Sequence, residues 1–201
     1  MSSMLHNQLL TKNSIDEIFD CFAKNYDDKD PLNVFLVGGG AIMIHFDFRQ
    51  STIDLDAFFK TNNLVEIAIN KVAEEKGLPK DWLNQDFINT PSYSPKINEV
   101  SKLYKAFNNV VFVYCLEPVY LIAMKLKSSR PTGGDLDDII KMIYELRYKS
   151  ISISYEEVIN AYQYLYTDFS NTYDYFLEKT KEAFNTPLEE IETILGKHKP
   201  Y

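Results

Sequence analysis

The feature that most constrains this chain is a short apolar run leading into three consecutive glycines, Gly38, Gly39 and Gly40. Residues 32–37 are rich in β-forming side chains and predict a buried strand. Residues 41–46 are apolar and predict a helix directly after the glycines. Glycine allows the chain to turn sharply there, and it lets a phosphate approach main-chain N–H groups at the helix start. On its own this turn is a weak signal, because many folds place glycines before a helix.

A pair of aspartates, Asp54 and Asp56, follows about fourteen residues later on the next predicted strand, residues 52–59. Alternate side chains of a strand share a face, so the two carboxylates project together, while Ile53 and the other odd-numbered residues point into the core. Adjacent carboxylates repel each other unless a cation lies between them, and Mg²⁺ readily shares oxygen ligands with phosphates. The alternative is a solvent-facing strand with two surface acids. The pair and the glycine turn together favour a metal site.

The segment from 34 to 59 resembles the signature of the nucleotidyltransferase fold shared by polymerase β and the minimal nucleotidyltransferases. That signature is a glycine pair at a helix start followed by D-x-D on the next strand. With Arg49, Ser51 and Thr52 before the aspartates, the segment is similar to the AbiEii-like branch. Many members of that branch are toxins of bacterial toxin–antitoxin or abortive-infection systems.

A second block, residues 121–139, is similar to the same branch in its order of a lysine on a helix, an arginine and then D-x-x-D. The matching residues are Lys125, Arg130, Asp135 and Asp138. Lys125 lies among apolar residues, so its stem is expected to pack on the core and hold its charge for a triphosphate; a surface lysine is the alternative. Asp135 is predicted at a helix N-cap and Asp138 in the first turn, where acids are favourable anyway. Arg130 is expected to pair with either aspartate or to contact phosphate.

The resemblance implies a role for each of these residues. Asp54 and Asp56 hold Mg²⁺ or Mn²⁺, and the glycines with the adjacent backbone cradle the phosphates of a nucleoside triphosphate. Lys125 neutralises the triphosphate, Asp135 faces the site, and Asp138 supports it. Further nucleotide-binding or phosphate-binding positions are expected at Arg49, Ser51, Thr52 and Arg130. For Arg49, pairing with the carboxylates and a surface role are the alternatives.

A third carboxylate, which two-metal phosphoryl transfer normally uses, is missing from the expected place. The third predicted strand, residues 110–116, contains no acid. The candidates are Glu117 at the end of that strand, Asp86 in the irregular segment before it, and Asp135 or Asp138. Without a clear third acid, the sequence leaves open a one-metal site or an inactive one.

The expected fold class is α/β (α+β): a nucleotidyltransferase fold with a small mixed sheet flanked by helices, followed by an all-helical region. A soft boundary near residue 150 separates a catalytic core, 1–150, from a helical C-terminal region, 151–201. Helices are predicted at 14–25, 63–76, 117–128, 135–148, 154–166, 171–184 and 187–197, a helical turn at 78–84 and an irregular loop at 90–95.

The net charge and the distribution of basic residues indicate which partners the protein can bind. The net charge is −8, and no run of lysines and arginines forms a basic tail. This argues against non-specific nucleic-acid binding and suits a basic antitoxin. A transfer RNA would need a local basic patch, for which the available residues are Lys96, Lys102, Lys105, Lys125, Lys127 and Arg130.

The two cysteines, Cys21 and Cys115, lie among apolar neighbours and are expected to be buried free thiols. The chain has no signal-peptide pattern at its start and no apolar stretch near the ~20 residues that cross a bilayer. These observations predict a cytoplasmic protein without a membrane partner.

The resemblance implies transfer of a nucleoside monophosphate to an acceptor hydroxyl on a tRNA 3′ end or a protein, in a toxin-like or phage-defence role. One alternative is a small-molecule nucleotidyltransferase of the aminoglycoside-modifying type. The other is a catalytically silent binding module, which the missing carboxylate supports.

Overall fold

Residues 9–167 and 174–196 are described by the structure, which is a computed structural model. The strands in this part of the chain are β1 (Leu10–Thr11), β2 (Leu32–Leu36), β3 (Ser51–Thr52), β4 (Leu55–Phe59), β5 (Leu83–Asn84), β6 (Ser101–Phe107) and β7 (Val111–Leu116). The helices are α1 (Lys12–Asn25), α2 (Gly38–His45), α3 (Asn63–Lys76), α4 (Pro118–Ser128), α5 (Asp135–Tyr148), α6 (Tyr155–Leu165), α7 (Asp174–Asn185) and α8 (Leu188–Leu195).

The chain divides into two compact units. The first contains the described residues up to Phe87 together with Ile97–Leu116, and therefore all the strands. The second contains Ile88–Lys96 and the described residues from Glu117 onward, including α4 to α8. Small sheets flanked by helices, with helices in the C-terminal part, confirm the predicted fold class. The division at residue 150 into a catalytic core and a helical region stays a prediction.

The main sheet of the first unit has five strands in the order β5-β4-β2-β7-β6. The central strand β2 runs antiparallel to β4 and parallel to β7, β5 runs parallel to β4, and β6 runs antiparallel to β7. Because β2 and β4 are antiparallel, the end of β2 meets the start of β4. There the N–H of Val37 donates to the carbonyl oxygen of Asp56 at 2.9 Å. This arrangement brings the glycine turn and the aspartate pair to one edge of the sheet.

Aromatic packing between α1 and the segment before β5 stabilises the first unit. Phe19 and Phe22 on the apolar face of α1 are fully buried, as predicted, and their rings lie 6.1 Å and 6.0 Å from the ring of Trp82. The indole N–H of the fully buried Trp82 donates to the carbonyl oxygen of Ile69 at 3.1 Å, so its polar atom is satisfied. Trp82 thereby anchors the chain immediately before β5.

The helix boundaries in the second unit agree closely with those predicted from the sequence. The predicted helices at 117–128, 135–148 and 154–166 are confirmed as α4, α5 and α6, and a capping box of Ser154 and Glu157 starts α6. The predicted helices at 171–184 and 187–197 correspond to α7 and α8, while residues 171–173 and 197 lie outside the described residues. In the first unit α1 begins earlier than predicted, because Thr11 and Ser14 form its capping box.

Two secondary-structure predictions are wrong, and one strand was not predicted. The predicted strand 52–59 is interrupted, and Ile53 is 57% exposed rather than in the core, because Ser51–Thr52 pairs with β1 instead. The predicted helical turn at 78–84 contains β5. Strand β6 was not predicted, because it lies at the sheet edge and all but its first and last residues are exposed, which removes the alternation of a half-buried strand.

Both cysteines, Cys21 and Cys115, are buried free thiols, as predicted. Burial raises the pKa of the Cys115 thiol far above its ordinary value. None of the described helices has the length and apolar character needed to cross a membrane.

Candidate metal and nucleotide site

The two aspartates lie at the start of β4. Asp56 belongs to the strand and Asp54 directly precedes it, and both side chains are half-buried. Leu55 and Ala57 are fully buried, so the predicted alternation holds around the pair even though Ile53 departs from it. The two carboxylates therefore lie on the face of the strand opposite the core, as expected for a site that receives a ligand.

The glycines form the first turn of α2, which begins at Gly38 rather than near residue 41. Gly38 has a φ of +54°, in the left-handed region that favours glycine. A Cβ at this position would lie 3.0 Å from Oδ2 of Asp56. The absence of a side chain at Gly38 therefore lets the helix start and the Asp56 carboxylate approach each other closely.

The second glycine makes room for two polar side chains. A Cβ on Gly39 would lie 2.9 Å from Oγ1 of Thr52 and 3.1 Å from Nη2 of Arg49. Arg49 and Thr52 thus lie against the start of α2, where main-chain N–H groups and the helix dipole favour an anion. Gly40 instead faces Leu55, whose Cδ2 would be 2.7 Å from an added Cβ, so Gly40 serves packing.

Ser51 has a different position from its neighbour. It pairs with Thr11 in the two-stranded ladder of β1 and β3 and is half-buried. Thr52, the other residue of β3, is buried and points toward Gly39. Of the predicted phosphate-binding residues, the structure brings Gly38, Gly39, Arg49 and Thr52 together at the start of α2.

Asn84 is the residue that the sequence interpretation missed. It lies in β5, opposite Asp56 in the register of the parallel β4–β5 pair. Its side-chain Nδ2 donates to Oδ2 of Asp54 at 3.1 Å. The signal available in the sequence was the apolar Trp82-Leu83 pair before a polar residue, but a run this short is ambiguous between strand and turn.

The available metal ligands are carboxylate oxygens, which suit Mg²⁺ or Mn²⁺ rather than a metal that prefers nitrogen or sulfur ligands. No group of three or more His, Cys, Asp and Glu residues is arranged to hold a metal within residues 9–167 and 174–196. Magnesium does not need such a group, because it retains waters and is typically held by one or two carboxylates together with substrate phosphates. Asp54 and Asp56, beside a helix start able to receive phosphate, fit that requirement.

The candidates for a third carboxylate differ in their surroundings. Asp86 is exposed, in the same unit as the aspartate pair, and its main-chain N–H donates to Oδ1 of Asn84 at 2.9 Å. Glu117 belongs to the second unit, where it is the N-cap of α4. Asp138, also in the second unit, pairs with Lys125. The assignment of a third carboxylate stays a prediction.

The second block of the sequence forms an ion-pair cluster of Lys125, Arg130, Asp135 and Asp138. Nζ of Lys125 lies 2.8 Å from Oδ1 of Asp135 and 2.9 Å from Oδ2 of Asp138. Arg130 donates to both oxygens of Asp135 at 2.9 Å, and its main-chain N–H adds a third bond at 3.1 Å. The two cations and two anions thus neutralise each other.

Asp135 is the centre of this cluster. It is the first residue of α5 and not its N-cap, which is Gly134, so the predicted capping role is wrong. Four hydrogen bonds reach its fully buried carboxylate, which matches the acceptor capacity of that group. In this arrangement Asp135 positions Lys125 and Arg130. Its predicted place in a catalytic site, and the binding of a triphosphate by Lys125, stay predictions.

The pKa of Asp135 reflects two opposing influences. Burial raises the pKa, but the hydrogen bonds from Arg130 and the charge of Lys125 outweigh it and hold the pKa well below the ordinary value for aspartate. A carboxyl with a lowered folded-state pKa stabilises the fold above its unfolded pKa of about 3.9 and loses that contribution as the pH falls through the folded pKa.

The expected result of Asp135→Asn is therefore a stability deficit that depends on pH. The wild-type chain should be more stable than the variant near neutral pH, and the difference should shrink as the pH falls below about 4. Urea unfolding of both proteins across this pH range measures the difference. A deficit that stays constant with pH would mean that ionisation of Asp135 does not contribute to folding.

Most of the basic residues considered for tRNA are engaged elsewhere. Lys125 and Arg130 belong to the ion-pair cluster. Lys105 pairs with Asp16 at 2.8 Å, Lys127 is only 8% exposed, and Nζ of Lys96 donates to a main-chain carbonyl oxygen at 2.8 Å. The charges of Lys105, Lys125 and Arg130, half of the six candidates, are thus paired with carboxylates.

Replacing Gly38 by alanine is expected to affect both folding and metal binding. Alanine in the left-handed region lowers the unfolding free energy by about 1–2 kcal/mol, and its Cβ would displace the Asp56 carboxylate. Gly77→Ala is a matched control, since Gly77 has a φ of +65° at the end of α3. Calorimetric titration with Mn²⁺ should show weaker binding for Gly38→Ala only, and equal affinities in the two variants would contradict a role for this contact.

Together, a mixed sheet, a glycine turn at a helix start and two carboxylates on the adjoining strand define a nucleotidyltransferase-like core. The family described as "Nucleotidyltransferase of unknown function (DUF6036)" matches residues 14–182. The chain therefore belongs to this family of nucleotidyltransferases. No curated protein and no solved structure matches the chain.

Proposed function

We propose that the protein is a Mg²⁺-dependent nucleotidyltransferase, with Mn²⁺ as an alternative cation. It transfers a nucleoside monophosphate from a nucleoside triphosphate, such as ATP, to an acceptor hydroxyl. The observation that carries the proposal is the close approach of the Asp56 carboxylate to Gly38 at the start of α2, with Asp54 on the same face. Acids at a phosphate-binding helix start would repel a triphosphate unless a cation joined them.

In the proposed reaction the acceptor hydroxyl releases its proton to solvent and its oxygen forms a bond to the α-phosphorus. The bond between that phosphorus and the bridging oxygen breaks, and pyrophosphate leaves. A cation held by Asp54 and Asp56 would supply positive charge to the phosphate oxygens. The start of α2 and Arg49 bind and orient the phosphates, since both offer N–H donors and positive charge at one place. Such positioning supplies most of the catalysis in phosphoryl transfer.

Within the nucleotidyltransferases we propose an AbiEii-like assignment and a toxin-like or phage-defence role. It rests on the glycines with Arg49, Ser51 and Thr52, and on the order of residues in the ion-pair cluster. The acceptor would be the 3′ end of a tRNA or a protein side chain. Pairing of Lys105, Lys125 and Arg130 with carboxylates, together with a net charge of −8, favours the protein acceptor and a basic antitoxin.

The test is transfer of label from each of the four α-labelled nucleoside triphosphates, with Mg²⁺, to total tRNA, a protein extract or a mixture of small amino sugars. The proposal predicts label in one acceptor pool with wild-type protein, and none with the double variant Asp54→Asn, Asp56→Asn. Label in none of the pools, despite Mg²⁺-dependent nucleotide binding, would favour a silent binding module.

A cleft in the second unit favours a second candidate function, modification of a small cationic molecule. The cleft measures about 590 Å³, which is within the range of small-molecule sites. Its charged lining residues are Glu117 and Glu157, and its aromatic ones are Tyr120 and Tyr164, whose ring centroids lie 6.1 Å apart. Carboxylates and aromatic faces suit an organic cation. Label in the amino-sugar pool alone would select this candidate.

A further inference from the structure

An amide side chain lies beside the aspartate pair. Strand β5 is the edge strand next to β4, and the parallel register places Leu83 opposite Leu55 and Asn84 opposite Asp56. Residues in register on neighbouring strands direct their side chains to the same face of the sheet. The hydrogen bond from Nδ2 of Asn84 to Oδ2 of Asp54, at 3.1 Å, follows from this placement.

The orientation of the Asn84 amide is fixed by its other contacts. The main-chain N–H of Asp86 donates to Oδ1 of Asn84 at 2.9 Å, and only the oxygen of the amide accepts such a bond. Nδ2 also donates to the carbonyl oxygen of Asp81 at 3.3 Å. Rotating the amide by half a turn would set its oxygen against the Asp54 carboxylate and its NH₂ against the Asp86 N–H. Asn84 therefore presents a donor, and not a ligand oxygen, to Asp54.

This donor has a consequence for Asp54 as a metal ligand. The hydrogen bond restrains rotation of the carboxylate and partly occupies Oδ2, which leaves Oδ1 as the better ligand atom. Hydrogen bonds of this kind orient ligating carboxylates, and removing them typically weakens metal binding by about 10-fold to 100-fold.

The placement of Asn84 points to a supporting role in the metal site. Asn84 directs a donor at Asp54 and lies in register with Asp56, so it contacts the candidate ligands without supplying a ligand oxygen to the cation. We propose that Asn84 is a positioning residue that presents Asp54 to a divalent cation. This proposal rests on the metal site of the proposed function.

Calorimetric titration of the full chain with Mn²⁺, with free Mn²⁺ counted by electron paramagnetic resonance, tests the proposal. Wild-type protein should bind Mn²⁺, and Asn84→Ala should bind it about tenfold more weakly. Gln85→Ala is the matched control, because Gln85 accepts from the N–H of Phe59 at 3.2 Å and donates to Thr61 at 2.7 Å. Replacing Gln85 with alanine therefore removes hydrogen bonds near the end of β4 but none to a carboxylate.

Asn84→Asp separates positioning from a merely structural role. Aspartate keeps an acceptor for the Asp86 N–H but sets a second carboxylate against Oδ2 of Asp54. Without metal this variant should melt at a lower temperature than wild type, because the two charges repel. Mn²⁺ should then raise its melting temperature more than it raises that of wild type, since the cation relieves the repulsion. Circular dichroism shows whether Asn84→Ala folds. If it does not, Asn84→Asp tests the positioning role in its place.

The outcomes distinguish this inference from the proposed function. Absence of Mn²⁺ binding by the wild-type chain would overturn the metal site and with it the role of Asn84. Mn²⁺ binding with equal affinity in Asn84→Ala and Gln85→Ala would overturn the positioning role and leave the proposed function intact.

Discussion

Asparagine at position 54 or 56 should abolish Mg²⁺-dependent binding of a nucleoside triphosphate. Each change removes one of the two charges that the cation needs but keeps the shape of the side chain, and at position 54 it keeps an acceptor for Asn84. Residues that orient a metal ligand typically contribute about 10-fold to 100-fold to metal affinity, and the ligand itself contributes at least as much. We therefore expect the affinity for the Mg²⁺–nucleotide complex to fall by at least about a hundredfold.

Thermal unfolding with an α,β-methylene nucleotide, which resists cleavage at the α-phosphorus, measures this effect. At about a hundred times its dissociation constant the ligand stabilises the wild-type protein by about 2.7 kcal/mol, and we expect a rise in melting temperature of about 5–10 °C. Both variants should show a rise of no more than about 1–2 °C, because a ligand bound a hundredfold more weakly stabilises by only about 0.4 kcal/mol. Asp81→Asn is the control, because it removes an exposed acid near Asn84, whose contact with Asp81 is to the main chain only. An undiminished rise in either variant at position 54 or 56 would remove that residue from the site.

Lys125→Met is expected to cause the largest loss of stability. Asp135 is fully buried and Asp138 is 12% exposed, so removing their shared partner leaves buried negative charge that Arg130 only partly compensates. Breaking a buried ion pair from one side typically costs about 3–5 kcal/mol. The unfolding free energy should fall by about that amount, measured by urea unfolding with far-UV circular dichroism because the second unit is helical.

A second lysine on α5 provides the comparison. Lys141 pairs with Asp137 one turn away at 2.8 Å, and both side chains are well exposed. Exposed pairs of this type contribute about 0.5 kcal/mol or less, so Lys141→Met should unfold almost like wild type. Adding Asp138→Asn to Lys125→Met should restore part of the lost stability, since it removes one of the two negative charges that Lys125 neutralises, while Asp135 keeps its bonds from Arg130. Similar losses for the two lysine variants would show that the ion-pair cluster is not the buried network that the structure describes.

The helix boundaries and the aspartate pair were predictable because their signals are local. The helix that ends at Gly77 and the one that begins after Ser154 follow from a left-handed glycine and a capping box, each readable within a few residues. The alternation around Leu55 placed both aspartates on one face. Local patterns of this kind do not depend on which other strands are nearby.

The errors arose where a long-range partner decides the conformation. Ile53 follows a strand pattern, yet residues 51–52 pair with β1, about forty residues earlier in the chain, and Ile53 is left exposed. Asn84 joined the site only because β5 pairs with β4, which a run of two strand residues cannot indicate. The two carboxylate partners of Lys125 were not predicted, because they come from the start of the next helix.

The central claim is that this protein transfers a nucleotidyl group through the site of Asp54 and Asp56. The most direct measurement compares acceptor labelling by nucleoside triphosphates carrying the label at the α-phosphate or at the γ-phosphate, with the double variant Asp54→Asn, Asp56→Asn in parallel. The proposed function predicts that α-label enters the acceptor, that γ-label is released as pyrophosphate, and that the variant does neither. Transfer of γ-label to the acceptor, or transfer of α-label that persists in the variant, would contradict it.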